Sequence, residues 1–144
     1  MTSQICVDSG LLLKLLLKER DSHLVEALWQ QWVTDDIQLI APYLFAFEIT
    51  AVIRKVTHRG LIDAIMGKKL LNKAFDFDIK LQTFAGIHER AWTLATQFNR
   101  PTAYDTHYLA LAEYVGCPFW TADRRLFNAV RQQLAWIHWL NNEE

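Results

Sequence analysis

Short apolar runs that stop at a polar turn and pass straight into a helical period recur along this chain, and that alternation leaves few folds open. Residues 4–7 read as a short buried strand ending at Asp8-Ser9-Gly10, after which Leu11, Leu12, Leu15 and Leu16 recur at helical spacing. The same phrase returns. Strands are expected over residues 37–41, 77–83, 118–121 and 135–140, and helices over 22–33, 43–58, 63–74, 87–98, 102–115 and 123–134. Within 77–83, Phe77, Ile79 and Leu81 alternate with Asp78, Lys80 and Gln82, the pattern of a half-exposed strand at a sheet edge. Strands alternating with helices through short turns predict an α/β fold with a mostly parallel central sheet covered on both faces. In such folds ligands bind beyond the carboxyl ends of the strands, where strand order reverses, so the polar residues just past each strand carry the interest.

The chain has 144 residues, 51% hydrophobic and 22% charged, with no repeat and no Pro-, Gly- or Ser-rich linker, so residues 1–144 are expected to form one domain. Fifteen Lys and Arg against sixteen Asp and Glu give a net charge of -1, which neither advertises nor excludes nucleic acid. The longest uncharged stretches, 37–47 and 132–142, have eleven residues each and cannot cross a bilayer. Two cysteines, Cys6 and Cys117, form no disulfide framework and no metal-ligand spacing and read as buried thiols. With no basic segment ahead of the first apolar residues, these features predict a cytoplasmic protein with no membrane association.

Four acids stand alone in apolar surroundings. Asp8 is the only charged residue among the first thirteen, Glu48 the only one between Ala41 and Ile53, and Asp105 the only one between Pro101 and Ala112. Asp123 is the only acid between Tyr114 and Asn142. Asp8 and Asp123 could each cap a helix, and Thr102-x-x-Asp105 matches a capping box. Glu48 sits more than a turn inside an apolar helix, where capping is no explanation. If the first and fourth strands are neighbours, Asp8 and Asp123 emerge together, and Glu48 and Asp105 can point at the same end of the sheet. Two unit charges 4 Å apart repel by about 4 kcal/mol at an effective dielectric near 20, so four gathered carboxylates call for a divalent cation. An all-oxygen donor set selects Mg2+ or Mn2+ over Zn2+. Such a site suits phosphoryl or phosphodiester chemistry by metal-activated water. No Walker loop or nucleophile elbow is present, and Gly10 stands where a phosphatase using an aspartyl intermediate would carry a second Asp.

The runs around Asp8-Ser9, Phe-Glu48-Ile-Thr-Ala-Val-Ile-Arg, Ala-Tyr-Asp105-Thr-His-Tyr-Leu-Ala-Leu-Ala-Glu and Phe-Trp-Thr-Ala-Asp123-Arg-Arg-Leu together resemble the PIN-domain ribonucleases, in particular the VapC-like toxins of bacterial toxin-antitoxin pairs. The resemblance covers essentially the whole chain. It implies a three-layer α/β/α fold and places the catalytic and metal-binding carboxylates at Asp8, Glu48, Asp105 and Asp123, with Thr121 and Ser9 in support. It further implies an RNA substrate cut endonucleolytically with Mg2+ or Mn2+, a homodimer, and a cognate antitoxin as partner. His107, two residues after Asp105, and Trp120 depart from the family's usual residues.

Setting the four acids aside leaves 15 cations against 12 acids, a surface of net +3. Arg54, Lys55 and Arg59, on the helix of Glu48, and Arg124 and Arg125, directly after Asp123, are the candidates for RNA phosphate contacts. Two other readings compete with the nuclease: an RNA- or partner-binding module that keeps the fold without the chemistry, and a metal-dependent phosphatase.

Overall fold

Parallel strands can be joined only by crossovers, and the chain supplies a helix or a pair of helices for each. The computed structural model describes residues 3–141. In chain order its elements are β1 (Gln4–Val7), α1 (Ser9–Leu17), α2 (Ser22–Thr34), β2 (Gln38–Pro42), α3 (Leu44–His58), α4 (Ala64–Asp76) and β3 (Ile79–Gln82). There follow α5 (Ile87–Gln97), α6 (Tyr104–Val115), β4 (Phe119–Thr121), α7 (Arg124–Val130) and β5 (Ile137–Trp139). The strands form one all-parallel sheet in the order β3-β2-β1-β4-β5. Helices α1, α3 and α4 pack on one another, α6 lies against β1 and β2 with α5 outside it, and the whole is a three-layer α/β/α sandwich.

Burial follows position in the sheet. Cys6 and Val7 of β1, Ile40 and Ala41 of β2 and Phe119 of β4 are fully buried, as strands covered on both faces must be. Edge strand β3 alternates as its sequence predicts, with Lys80 exposed between the half-buried Ile79 and Leu81. On the layer formed by α1 to α4, helices α3 and α4 approach so closely at Gly67 that a Cβ there would lie 2.3 Å from Thr57 Oγ1. Gly116, at φ 80°, closes α6 in the left-handed conformation that a residue with a Cβ resists, and its N–H donates to Ala112 O. Cys6 and Cys117 are free and buried, and no helix among the described residues is long and apolar enough to cross a membrane.

Several boundaries differ from expectation. β2 continues through Pro42, which lies at the strand's last paired position opposite Gln82 and loses no central ladder bond by lacking an N–H. α4 runs on to Asp76, so Phe77 is its C-cap and packs edge-on against Trp29 at 5.6 Å instead of opening β3. α6 begins at Tyr104, two residues later than expected, and α7 stops at Val130, where a tight turn brings the N–H groups of Gln133 and Leu134 onto Val130 O.

Candidate active site

The chain leaves β1 toward β2 on one side and later returns to lay β4 on the other, so strand order reverses between β1 and β4. Asp8 and Asp123 are the residues that leave this reversal point. Cys6 and Val7 pair with Phe119 and Trp120, and Asp8 N donates to Trp120 O at 3.2 Å. A cleft of about 270 Å³ opens there, and Asp8, Glu48, Asp105 and Asp123 all line it, with Ser9 and Tyr108 beside them.

Asp8 and Asp123 cap their helices and line the cleft at once. Asp8 Oδ1 accepts from Leu11 N (3.0 Å), while Oδ2 accepts from Ala122 N (3.2 Å) and from the Thr121 hydroxyl. Thr121, with no exposed surface, turns its oxygen to Asp123 N as well (2.9 Å), so one hydroxyl ties the ends of β1 and β4 together. Asp123 Oδ1 accepts from Arg125 N (2.9 Å) and Leu126 N (3.2 Å), leaving Oδ2 without a protein partner among the described residues. Burial pushes the Asp8 carboxyl up to about 7 and the nearby Asp123 charge adds to the rise, against the lowering effect of its three hydrogen bonds.

Glu48 and Asp105 are held differently. Glu48, in the second turn of α3, accepts through Oε1 from Ser9 Oγ (3.1 Å) and Tyr108 Oη (2.6 Å). Burial and the Glu48 charge keep the Tyr108 phenol protonated far above its ordinary range, so it stays a donor. Asp105 lies in the first turn of α6 but caps nothing: the N-cap is Ala103, no side chain closes it, and the expected capping box with Thr102 does not form. Asp105 Oδ2 accepts instead from Arg100 Nη2 at 3.2 Å. Burial and the Asp123 charge raise the Asp105 carboxyl, and Arg100 partly offsets this. Arg100 Nε is buried without a partner among the described residues, so the guanidinium makes one long contact where a fork of two is available.

Arg100 and Tyr108 are the two groups that sequence reasoning missed. Each lies in a segment dominated by its neighbours, and only the fold brings it to a carboxylate. Of the proposed phosphate contacts, Arg54 lines a groove between α3 and α4, and Lys55, seven residues from Glu48, recurs on the same face of α3. Arg59 is exposed at the end of α3. The Arg124 guanidinium stands 5.7 Å over the Trp139 ring, and Arg125 is exposed at the start of α7. None of these five lines the cleft. His107 does not line it either; its ring lies with His88 in a neighbouring pocket.

The donor set suits a hard divalent cation held with its waters. Every donor is oxygen, and Glu48 Oε2, Asp105 Oδ1 and Asp123 Oδ2 have no protein partner among the described residues. No three acids among those residues already converge at ligand spacing. Mg2+ dehydrates reluctantly and commonly takes only one or two carboxylates directly, so a loosely gathered cluster fits it better than a closed cage would.

An all-parallel sandwich with carboxylates at its reversal point defines a class of acid-lined α/β domains, and the comparisons narrow it. The PIN domain family is matched over residues 5–132, and this chain belongs to that family. Ribonuclease VapC9 of Mycobacterium tuberculosis is 30% identical over 96 residues, 67% of this chain and 73% of its own length. Ribonuclease VapC3 of Pyrobaculum aerophilum is 28% identical over 125 residues, covering 85% of this chain and 92% of its own. The crystal structure of PAE2754 from the same organism shares the fold, with a TM-score of 0.70 at 20% identity, covering 97% of this chain and 91% of that one.

Proposed function

We propose that this protein is a Mg2+- or Mn2+-dependent endoribonuclease and the toxin half of a toxin-antitoxin pair. The observation that carries the reading is one cleft at the sheet's reversal point lined by four carboxylates from four separate segments. Membership of the PIN family and likeness to proteins named ribonuclease VapC supply the substrate class. The same likeness supports a homodimer, an antitoxin partner and a cytoplasmic site of action.

Asp8, Glu48, Asp105 and Asp123 would hold the ion, which supplies a Lewis acid that acidifies water and offsets charge developing on the phosphate. The chain's own work is positioning. Thr121 and two backbone amides fix Asp8, so its carboxylate cannot swing when substrate enters. Ser9 and Tyr108 both bind Glu48 Oε1, which leaves Oε2 to face the cleft chemistry. Asp105, tied only to Arg100, is the acid with most freedom to adjust. Without a cation the four charges would repel an RNA phosphate, so binding and cutting are expected to share one metal requirement.

The test is cleavage of a labelled single-stranded RNA panel by the purified protein with EDTA, Mg2+ or Mn2+, beside Asp105→Asn. Cuts that need metal and vanish in the variant are expected. Cuts that persist in EDTA or in Asp105→Asn would refute the assignment.

A further inference from the structure

Beside the acid cleft, a second pocket of about 360 Å³ opens between the N-terminal ends of α3, α5 and α6. Its volume is in the range of small-molecule sites, roughly 300–1,000 Å³. Its walls include Tyr43, Phe47 and Tyr104, which are 54%, 72% and 59% exposed, together with His88 and His107. None of its lining residues carries a formal charge. Three large aromatic side chains left to solvent around one hollow are costly in apolar exposure and contribute little to the core.

The two histidines have a defined arrangement. His107 Nδ1 lies 2.6 Å from Ala103 O, and a carbonyl can only accept, so the proton of the neutral ring is on Nδ1. Its Nε2 is therefore an acceptor, and His88 Nδ1, 2.8 Å away, must donate to it. That leaves His88 Nε2 as the ring nitrogen with a free lone pair, without a partner among the described residues. The pocket thus combines π faces with a ring-nitrogen acceptor and the hydroxyls of Tyr43, Thr83 and Tyr104, and no Asp, Glu, Lys or Arg lines it. With no Lys or Arg in its lining the pocket has no charge partner for a phosphate, whereas a planar heteroaromatic ring with N–H groups on its edge matches both the aromatic faces and the free acceptor.

The pocket is continuous with the cleft through the chain itself. Phe47 precedes Glu48 on α3 and Tyr104 precedes Asp105 on α6, so each helix turns an aromatic residue to the pocket and the next residue, an acid, to the cleft. Successive helical residues diverge by about 100° (3.6 per turn), which places the two hollows on adjacent sides of the same two helix ends. We propose that this pocket holds one base of the single-stranded RNA whose neighbouring phosphodiester is presented to the four acids. The base stacks on Phe47 and Tyr104, and His88 Nε2 accepts from its N–H edge. This inference rests on the ribonuclease reading above and makes His107 a positioning residue for His88, outside the proton transfers of the cleft.

The test is fluorescence anisotropy of a labelled single-stranded RNA that the wild type cuts, with Asp105→Asn as the background so that no turnover occurs and with Mg2+ raised until RNA binding to that background no longer depends on it. Phe47→Ala and Tyr104→Ala are each expected to weaken binding about ten-fold, the scale of one lost base–aromatic stack. Removing the base at one nucleotide beside the cut should weaken binding equally and abolish any further effect of either variant. Both side chains are largely exposed, so the fold should survive their loss. Unchanged affinity in both variants, or losses that simply multiply with the abasic RNA, would overturn the pocket assignment. So would a change in sedimentation coefficient in Phe47→Ala, which would mean that a second copy covers this face. Absence of cutting by the wild type on every RNA would strike the ribonuclease reading itself, a result separate from these.

Discussion

The two pairs of acids in the cleft are built by opposite means. Asp8 and Asp123 follow strands and are gripped by backbone amides at the starts of α1 and α7, with Thr121 bridging them. Glu48 and Asp105 lie inside helices whose N-termini have no side-chain cap, and side chains from elsewhere hold them: Ser9 and Tyr108 for one, Arg100 for the other. The first pair therefore serves the fold as well as the site. The second pair caps no helix, so its weight in the fold is the pairing of its partners: loss of Glu48 leaves the buried Tyr108 hydroxyl without its acceptor, whereas Asp105 supports only Arg100.

Thr121 is the place where that difference can be broken most sharply. Thr121→Val keeps the volume but removes a donor to Asp8 and an acceptor for Asp123 N, both inside the sheet's end. A buried polar group left unpaired costs about 1–3 kcal/mol, and loss of an outer-shell partner typically costs about 10–100-fold in metal affinity or activity. Denaturant unfolding and Mn2+ titration of the variant should both register the change. A variant as stable as the wild type would show that the strand ends do not depend on this bridge.

The smaller effect sharpens the contrast between the pairs. Asp123→Ala removes a helix cap and should lower stability by about 1 kcal/mol. Asp105→Asn caps nothing, keeps an acceptor for Arg100 and relieves repulsion with Asp123, so the metal-free protein should melt no lower than the wild type. Thermal melts in EDTA check both. Equal destabilisation by the two substitutions would erase the distinction.

The same contrast explains what could be seen in the sequence. The βα alternation, the edge character of β3 and the place of Asp8 and Asp123 just past strands follow from local apolar periodicity and polar stops, which are written in consecutive residues; that β1 and β4 are neighbours is strand order, which no local pattern carries. The isolation of Glu48 in an apolar helix marked it for the same reason. Of its two partners, Ser9 showed only through the family resemblance, and Tyr108 did not show, because it lies 60 residues away and reads simply as another apolar residue of α6. Thr102-x-x-Asp105 satisfied a local pattern, yet Arg100, fixed at the end of α5 by its N–H bond to Ala95 O, takes the carboxylate and the helix begins two residues later. His107 looked like a neighbour of the catalytic groups by spacing alone. The turn of α6 carries it to the other side of Tyr104, onto His88.

The proposed activity requires four acids on four segments to act as one metal site. Mn2+ binding to the full chain, followed by electron paramagnetic resonance or calorimetry in the wild type and in Asp8→Asn, Glu48→Gln, Asp105→Asn and Asp123→Asn, decides whether they do. The account predicts saturable binding to the wild type that weakens in every one of the four variants while each remains folded. Binding that is indifferent to any of these substitutions would contradict it.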